Sequence, residues 1–152
     1  MPTLGKAERL YRQRTVSALF ARGRRFRISA GAYMLKVCAL LCDPDECDEV
    51  PKPVKVMFAA PKSSFRHAVD RNRMKRLMRE SFRARKAVWT AMAERYPLAD
   101  GRVPALLVAF IFTKIGKTPE GFVLKQADMQ VYLDRAADKL GRILANEGLG
   151  KR

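Results

Sequence analysis

Residues 68–83 read Ala68-Val69-Asp70-Arg71-Asn72-Arg73-Met74-Lys75-Arg76-Leu77-Met78-Arg79-Glu80-Ser81-Phe82-Arg83. The stretch sits inside a segment from about His67 to Tyr96 that holds no proline or glycine. Pro97 and the Asp100-Gly101 pair then end it, so the spacing predicts one long helix over about 67–96. On a wheel of about 100° per residue, Met74, Leu77, Met78, Val88, Trp89 and Met92 share an arc of about 120°. Arg73, Lys75, Arg76, Arg79, Arg83 and Lys86 fall on the opposite arc of about 160°. One face is built to lie on a sheet. The other presents six cations, and like charges at i, i+3 and i+4 destabilise an isolated helix by a few tenths of a kcal/mol per pair. Phosphates offset that repulsion and release counterions when neutralised. Arg71 and Arg85 lie off this pattern, near the apolar arc. A membrane-surface helix is also basic and amphipathic, but here the apolar face is required for the core. A merely solvated face would mix its signs more evenly.

The flanking segments supply the sheet. Tyr33, Leu35, Val37, Ala39 and Leu41 alternate, as do Val54, Val56, Phe58 and Ala60, so each set marks one face of a strand. The unbroken apolar run from Pro104 to Thr113 suits a buried central strand. Residues 6–22 read as a first helix with Leu10, Val16, Leu19 and Phe20 as its stripe and Gly23 as its stop. Residues 124–146 read as a last helix, with Met129, Leu133, Ala136, Leu140, Ile143 and Leu144 on one side and Gly148 beyond. The expected class is α+β: one mostly central sheet with three helices packed on it, an α/β sandwich. Residues 1–152 are expected to form one domain.

Charge sharpens the partner. Of 152 residues, 31 are Lys or Arg and 15 are Asp or Glu, a formal net charge of +16. Such an excess repels itself and calls for a polyanion. It is concentrated in residues 6–36 and 62–86, and an acidic loop at about 42–53 separates the two. The run from Val103 to Phe112 is about half of a membrane span. Met1 to Leu10 lacks the apolar stretch of a secretory signal. A cytoplasmic protein with no membrane partner is the expectation.

The stretch from Ala68 to Arg83 resembles the signature of the bacterial ribonuclease P protein component. Arg71-Asn72-Arg73 is followed by apolar-Lys-Arg, by apolar-apolar-Arg-Glu, and then by Phe-Arg. Val56 to Lys62 resembles the family's preceding strand and turn. Leu19-Phe20 and Gly23-Arg24-Arg25-Phe26 resemble its first helix and the strand after it. The resemblance implies a fold like the second domain of ribosomal protein S5, with the motif helix making a left-handed crossover between parallel strands, against the usual hand. It implies a protein subunit that binds the catalytic ribonuclease P RNA, one to one, and the 5′ leader of precursor tRNA. The RNA would carry the chemistry, with Mg2+ required by the ribonucleoprotein and no cofactor held by the protein alone. Carried over by position, Lys62, Arg71, Asn72, Arg73, Lys75, Arg76, Arg79 and Arg83 are the expected RNA contacts. Phe20, Tyr33, Lys36 and Arg66 are the expected leader-cleft residues. Phe20 fits a core position of the first helix equally well. The sequence departs from the pattern at Val16, where an aromatic is frequent, and at Ser63-Ser64-Phe65-Arg66, where the family's turn often holds Gly.

The residues give little support to protein-borne catalysis. His67 is the one histidine, and no spacing places it with a serine and an aspartate as a triad. The acidic loop is the one carboxylate cluster in the sequence, and it lacks the strand framework that nuclease metal sites use. Cys38, Cys42 and Cys47 lack zinc-site spacing, and an odd number suits reduced thiols. The alternative is a ribosomal or ribosome-assembly RNA-binding protein of similar fold, which explains the charge but not the motif.

Overall fold

The computed structural model of the chain describes residues 9–10, 13–46 and 54–146. Four helices and four strands follow in the order α1 (Gln13–Arg22), β1 (Arg24–Ala30), β2 (Tyr33–Cys42), β3 (Val54–Ala59), α2 (Ala68–Ala84), α3 (Lys86–Glu94), β4 (Ala105–Lys114) and α4 (Gln126–Asn146). The strands form one mixed sheet in the order β1-β2-β4-β3. β2 pairs antiparallel with β1 and β4, whereas β3 and β4 run parallel. The α+β class is therefore as expected, and the apolar run after Pro104 is a central strand.

The helix count differs from the sequence expectation because the segment 67–96 is two helices. Arg85 leaves the helical region at φ −120°, ψ 24°. Its N–H bonds to the Phe82 carbonyl at 3.0 Å, not to Ser81 one turn back. The Ser81 carbonyl accepts instead from Gln130 Nε2 of α4 at 3.2 Å. A side chain inserted into the ladder is a recognised cause of a helix break. The break resets the wheel: Trp89 is buried as the spacing requires, but Val88 is 48% exposed. The first helix also starts later than residue 6. Arg9 bridges Val56 in parallel, and the Leu10 N–H bonds to the Val56 carbonyl at 2.7 Å, so this stretch is extended. Cys47, Gly148 and much of the acidic loop lie outside the described residues.

Pleating divides the sheet into two faces. One carries Tyr33, Leu35, Val37, Ala39, Val54, Val56, Val108, Phe110 and Phe112. α2, α3 and α4 cover it through Met74, Leu77, Met78, Phe82, Trp89, Met129, Leu133 and Leu140. Full burial of each such side chain is worth about 1.5–3 kcal/mol. A buried aromatic set locks the layers, with Trp89 edge-on to Phe110 at 5.4 Å and Tyr132 edge-on to Phe112 at 5.2 Å. The opposite face carries a smaller cluster of Leu10, Leu19, Cys38, Cys42, Ala105, Leu107 and Ala109. α1 and the extended segment at Leu10 supply its cover.

Candidate nucleic-acid interface

α2 is held from below by Met74, Leu77, Met78, Ser81 and Phe82. Gln126 Nε2 also reaches from α4 to the Leu77 carbonyl at 2.9 Å and to Ser81 Oγ at 2.6 Å. The cations of α2 divide into two groups. Arg71 donates from Nη1 to the carbonyls of Phe65 and Arg66, each at 3.0 Å, and so braces the loop before the helix. Arg73 donates to the Leu124 carbonyl at the approach to α4. Arg83 pairs with Glu80. By contrast Lys75, Arg76 and Arg79 are exposed or half-buried, with no ion-pair partner among the described residues. They rise from one side of the helix within a turn and a half. Asn72 is exposed near its start, as are Lys62 and Arg66 in the preceding loop.

A second basic surface lies on the other side of the sheet. Strand register aligns Arg27, Lys36, Ile111 and Ala59 in one row across β1, β2, β4 and β3. The neighbouring row holds Arg25, Cys38, Ala109 and Met57. α1 covers the second row and beyond, but stops short of the first. A cleft of about 400 Å³ remains, lined by Phe20, Arg25, Arg27, Lys36, Cys38 and Ile111. Like charges directly opposite on paired strands are destabilising, so the Arg27–Lys36 row is suited to an anion lying across it.

The wall of the cleft depends on a glycine. Gly23 makes the turn from α1 into β1, its N–H on the Leu19 carbonyl at 2.7 Å. A Cβ there would lie 2.5 Å from the Leu19 oxygen and 2.7 Å from Cys38 Sγ. Only a glycine permits that approach. Arg25 Nη2 then donates to the Phe20 carbonyl at 2.6 Å, which sets the half-buried Phe20 at the cleft edge. Burial raises the pKa of the Cys38 thiol, and Arg25 opposes that rise. The floor is thus a neutral thiol among cations.

Two expected cleft residues lie elsewhere. Tyr33 is three positions from Lys36, so alternation sends it to the helix-covered face. There it is 9% exposed and stacks on Phe112 at 5.2 Å and Phe65 at 6.3 Å. Tyr33 is a core residue. Arg66 is exposed in the loop before α2 and does not line the cleft. Conversely, Arg25 and Arg27 line the cleft without having been singled out from the sequence. Their two-residue spacing beside Phe26 was the available signal. The acidic loop finds a partner across the fold: Arg102 reaches Asp43 and Asp45 at 3.1 Å and Asp100 at 2.6 Å. Its hydrogen bonds hold the Asp100 carboxyl below the ordinary range. These acids are thereby drawn to an arginine.

Comparison with known proteins gives a family. The family model described as Ribonuclease P matches residues 4–95, which include α1, the cleft strands β1 and β2, and α2. A protein described as "Ribonuclease P protein component" from Chlorobaculum tepidum is 35% identical over 98 residues. That match covers 64% of this chain and 58% of the relative. One with the same description from Chlorobium phaeobacteroides is 36% identical over 110 residues, 72% of each chain.

Proposed function

This chain belongs to the ribonuclease P protein family, and from that premise we propose that it is the RNA-binding, non-catalytic subunit of a ribonuclease P. In this reading Lys75, Arg76 and Arg79 grip the backbone of the RNA subunit, with Asn72, Arg83, Lys62 and Arg66 at the margins. Arg forks match phosphate oxygens in pairs, and Lys adds a point charge. Arg71 and Arg73 act chiefly by holding α2 and its loop in place, with spare N–H donors turned outward. The 5′ leader of precursor tRNA lies in the cleft. Arg25, Arg27 and Lys36 take its phosphates, and Phe20 offers a ring face to a base. Stacking of that kind is worth about 1–3 kcal/mol per base and tolerates any sequence, as variable leaders require.

The observation that carries this reading is the Arg27–Lys36 row beside Phe20, on the part of the sheet face that α1 leaves open. Hydrolysis is assigned to the RNA subunit and its Mg2+. The described residues present no group of three or more His, Cys, Asp or Glu side chains placed to hold a metal ion. The protein's part is to offset phosphate repulsion where leader and RNA meet, which lowers the magnesium needed. A one-to-one complex in the cytoplasm is the expected working form. The ribosome-assembly reading explains the charge but not the family match.

The test is cleavage of precursor tRNA by the RNA subunit at limiting magnesium, with and without this protein. Addition of the protein is expected to restore cleavage, and the protein alone is expected to cleave nothing. Cleavage by the protein without RNA, or no effect on the magnesium requirement, would overturn the proposal.

A further inference from the structure

The cationic surface does not end at the mouth of the cleft. Arg27 lines the cleft and also a second, smaller depression on the far side of the β1 edge. That depression, about 280 Å³, is formed by Arg27, Ile28, Arg135, Asp138, Lys139 and Arg142. Lys139 is the hinge between the two. Its Nζ donates to the Arg27 carbonyl at 3.3 Å and lies 5.8 Å from the centre of the Phe26 ring. From there Arg135 and Arg142 stand on the outer side of α4, four and three residues from Lys139 and so on adjoining turns. Asp138 is the one acid among them, and its approach to Arg142 is long at 4.0 Å, between side chains 80% and 72% exposed. Such a pair is worth little in water.

We propose that this belt around the β1 edge is a track for the distal part of the leader. It rests on the reading of the cleft as the leader site. A single strand leaving the cleft past Arg27 meets Lys139 next, and then Arg135 and Arg142. Cations recur along that path, with Asp138 the one acid among them. Cations on an edge strand also discourage edge-to-edge pairing of sheets. That role accounts for charges pointing off β1. It does not account for Arg135 and Arg142, which sit on the outer side of α4 and not on an edge strand.

The test uses the protein assembled with its RNA subunit. Affinity is measured for leaderless tRNA, for precursor with a leader that fills only the cleft, and for precursor with an extended leader. The variants are Arg135→Gln/Lys139→Gln/Arg142→Gln and, because Lys139 touches Phe26, Arg135→Gln/Arg142→Gln with Lys139 intact. Both are expected to bind leaderless tRNA and the short-leader precursor as the parent does. Both are expected to lose the advantage of the extended leader, its salt slope falling by about 0.7 for each phosphate that is no longer neutralised. An unchanged extended-leader advantage would overturn the track. Equal weakening of all three RNAs would overturn it too, by placing the belt on the RNA subunit or the tRNA body. Lys36→Ala serves as the control for the underlying reading. If it weakens both leader-bearing RNAs while the belt variants change nothing, the cleft stands and the track fails. If it weakens neither, the cleft reading itself fails.

Discussion

Arg27 and Lys36 face each other across adjacent antiparallel strands, on the part of the sheet that α1 leaves open. The pairing is unfavourable for the free protein, because like charges meet directly opposite in a ladder. Lys36→Gln should therefore raise stability slightly, by about 0.2–1 kcal/mol, while weakening the binding of leader-bearing RNA. Denaturant unfolding and RNA binding measured on one preparation check this opposition. Loss of both together would mean that Lys36 is structural.

The arginines of α2 should separate by role. Arg76→Ala and Arg79→Ala are expected to leave stability unchanged and to flatten the salt dependence of RNA binding. Arg71→Ala removes two bonds to the carbonyls of Phe65 and Arg66. It should cost about 1 kcal/mol, below the roughly 1.5–3 kcal/mol of bonds from a charged donor because the side chain is only half-buried. Thermal unfolding distinguishes them; equal losses for Arg71 and Arg76 would remove the distinction.

Gly23→Ala should be costly for its size. Its Cβ would meet backbone oxygen and a buried sulfur, neither of which is the free end of a flexible side chain. Overpacking of this kind costs about 1–3 kcal/mol, and relief requires α1 to lift off the sheet. The expected signature is lowered stability together with weakened leader binding, since Phe20 moves with the helix.

The break at Arg85 makes Trp89 and Val88 unequal neighbours. Trp89→Ala should lose about 3–5 kcal/mol from the packing around Phe82 and Phe110. Val88→Ala, at an exposed position, should stay within about 0.5 kcal/mol of the parent. Chemical denaturation of the two variants checks the pair.

Stability should fall at alkaline pH. Burial raises the Tyr33 and Tyr132 hydroxyls above their ordinary 10.0 and the Cys38 thiol above 9.0. For Tyr33, Arg73 opposes the rise and Asp70 adds to it. All three groups are neutral when protonated, and the folded state holds those protons more tightly. Below the ordinary values both states are protonated and these groups add no pH dependence. Above them the unfolded chain ionises first, so stability declines with rising pH until the folded groups ionise. Tyr33→Phe should make that decline shallower. An unchanged slope would show that Tyr33 is not among its causes.

Much of this was legible in the order of the residues. The two faces of α2 follow from helical period, since Met74, Leu77 and Met78 can bury only on one side. The alternation from Tyr33 to Leu41 identifies a strand, and the residues from Arg71 to Arg79 spell a family motif. Local geometry is enough for each, because period and motif need only near neighbours along the chain. The open face of the sheet is a different matter. Tyr33 and Lys36 must point opposite ways, but nothing along β2 says which side the helices will cover. That is decided by α2, α3 and α4 together, through packing between residues far apart in sequence. The same holds for Gln130 breaking the helix at Arg85, for Arg102 gathering Asp43 and Asp45, and for Arg27 joining the cleft to α4. Side chains meet there only after the chain has closed on itself, so the division of the arginines into braces and free cations belongs to the tertiary structure.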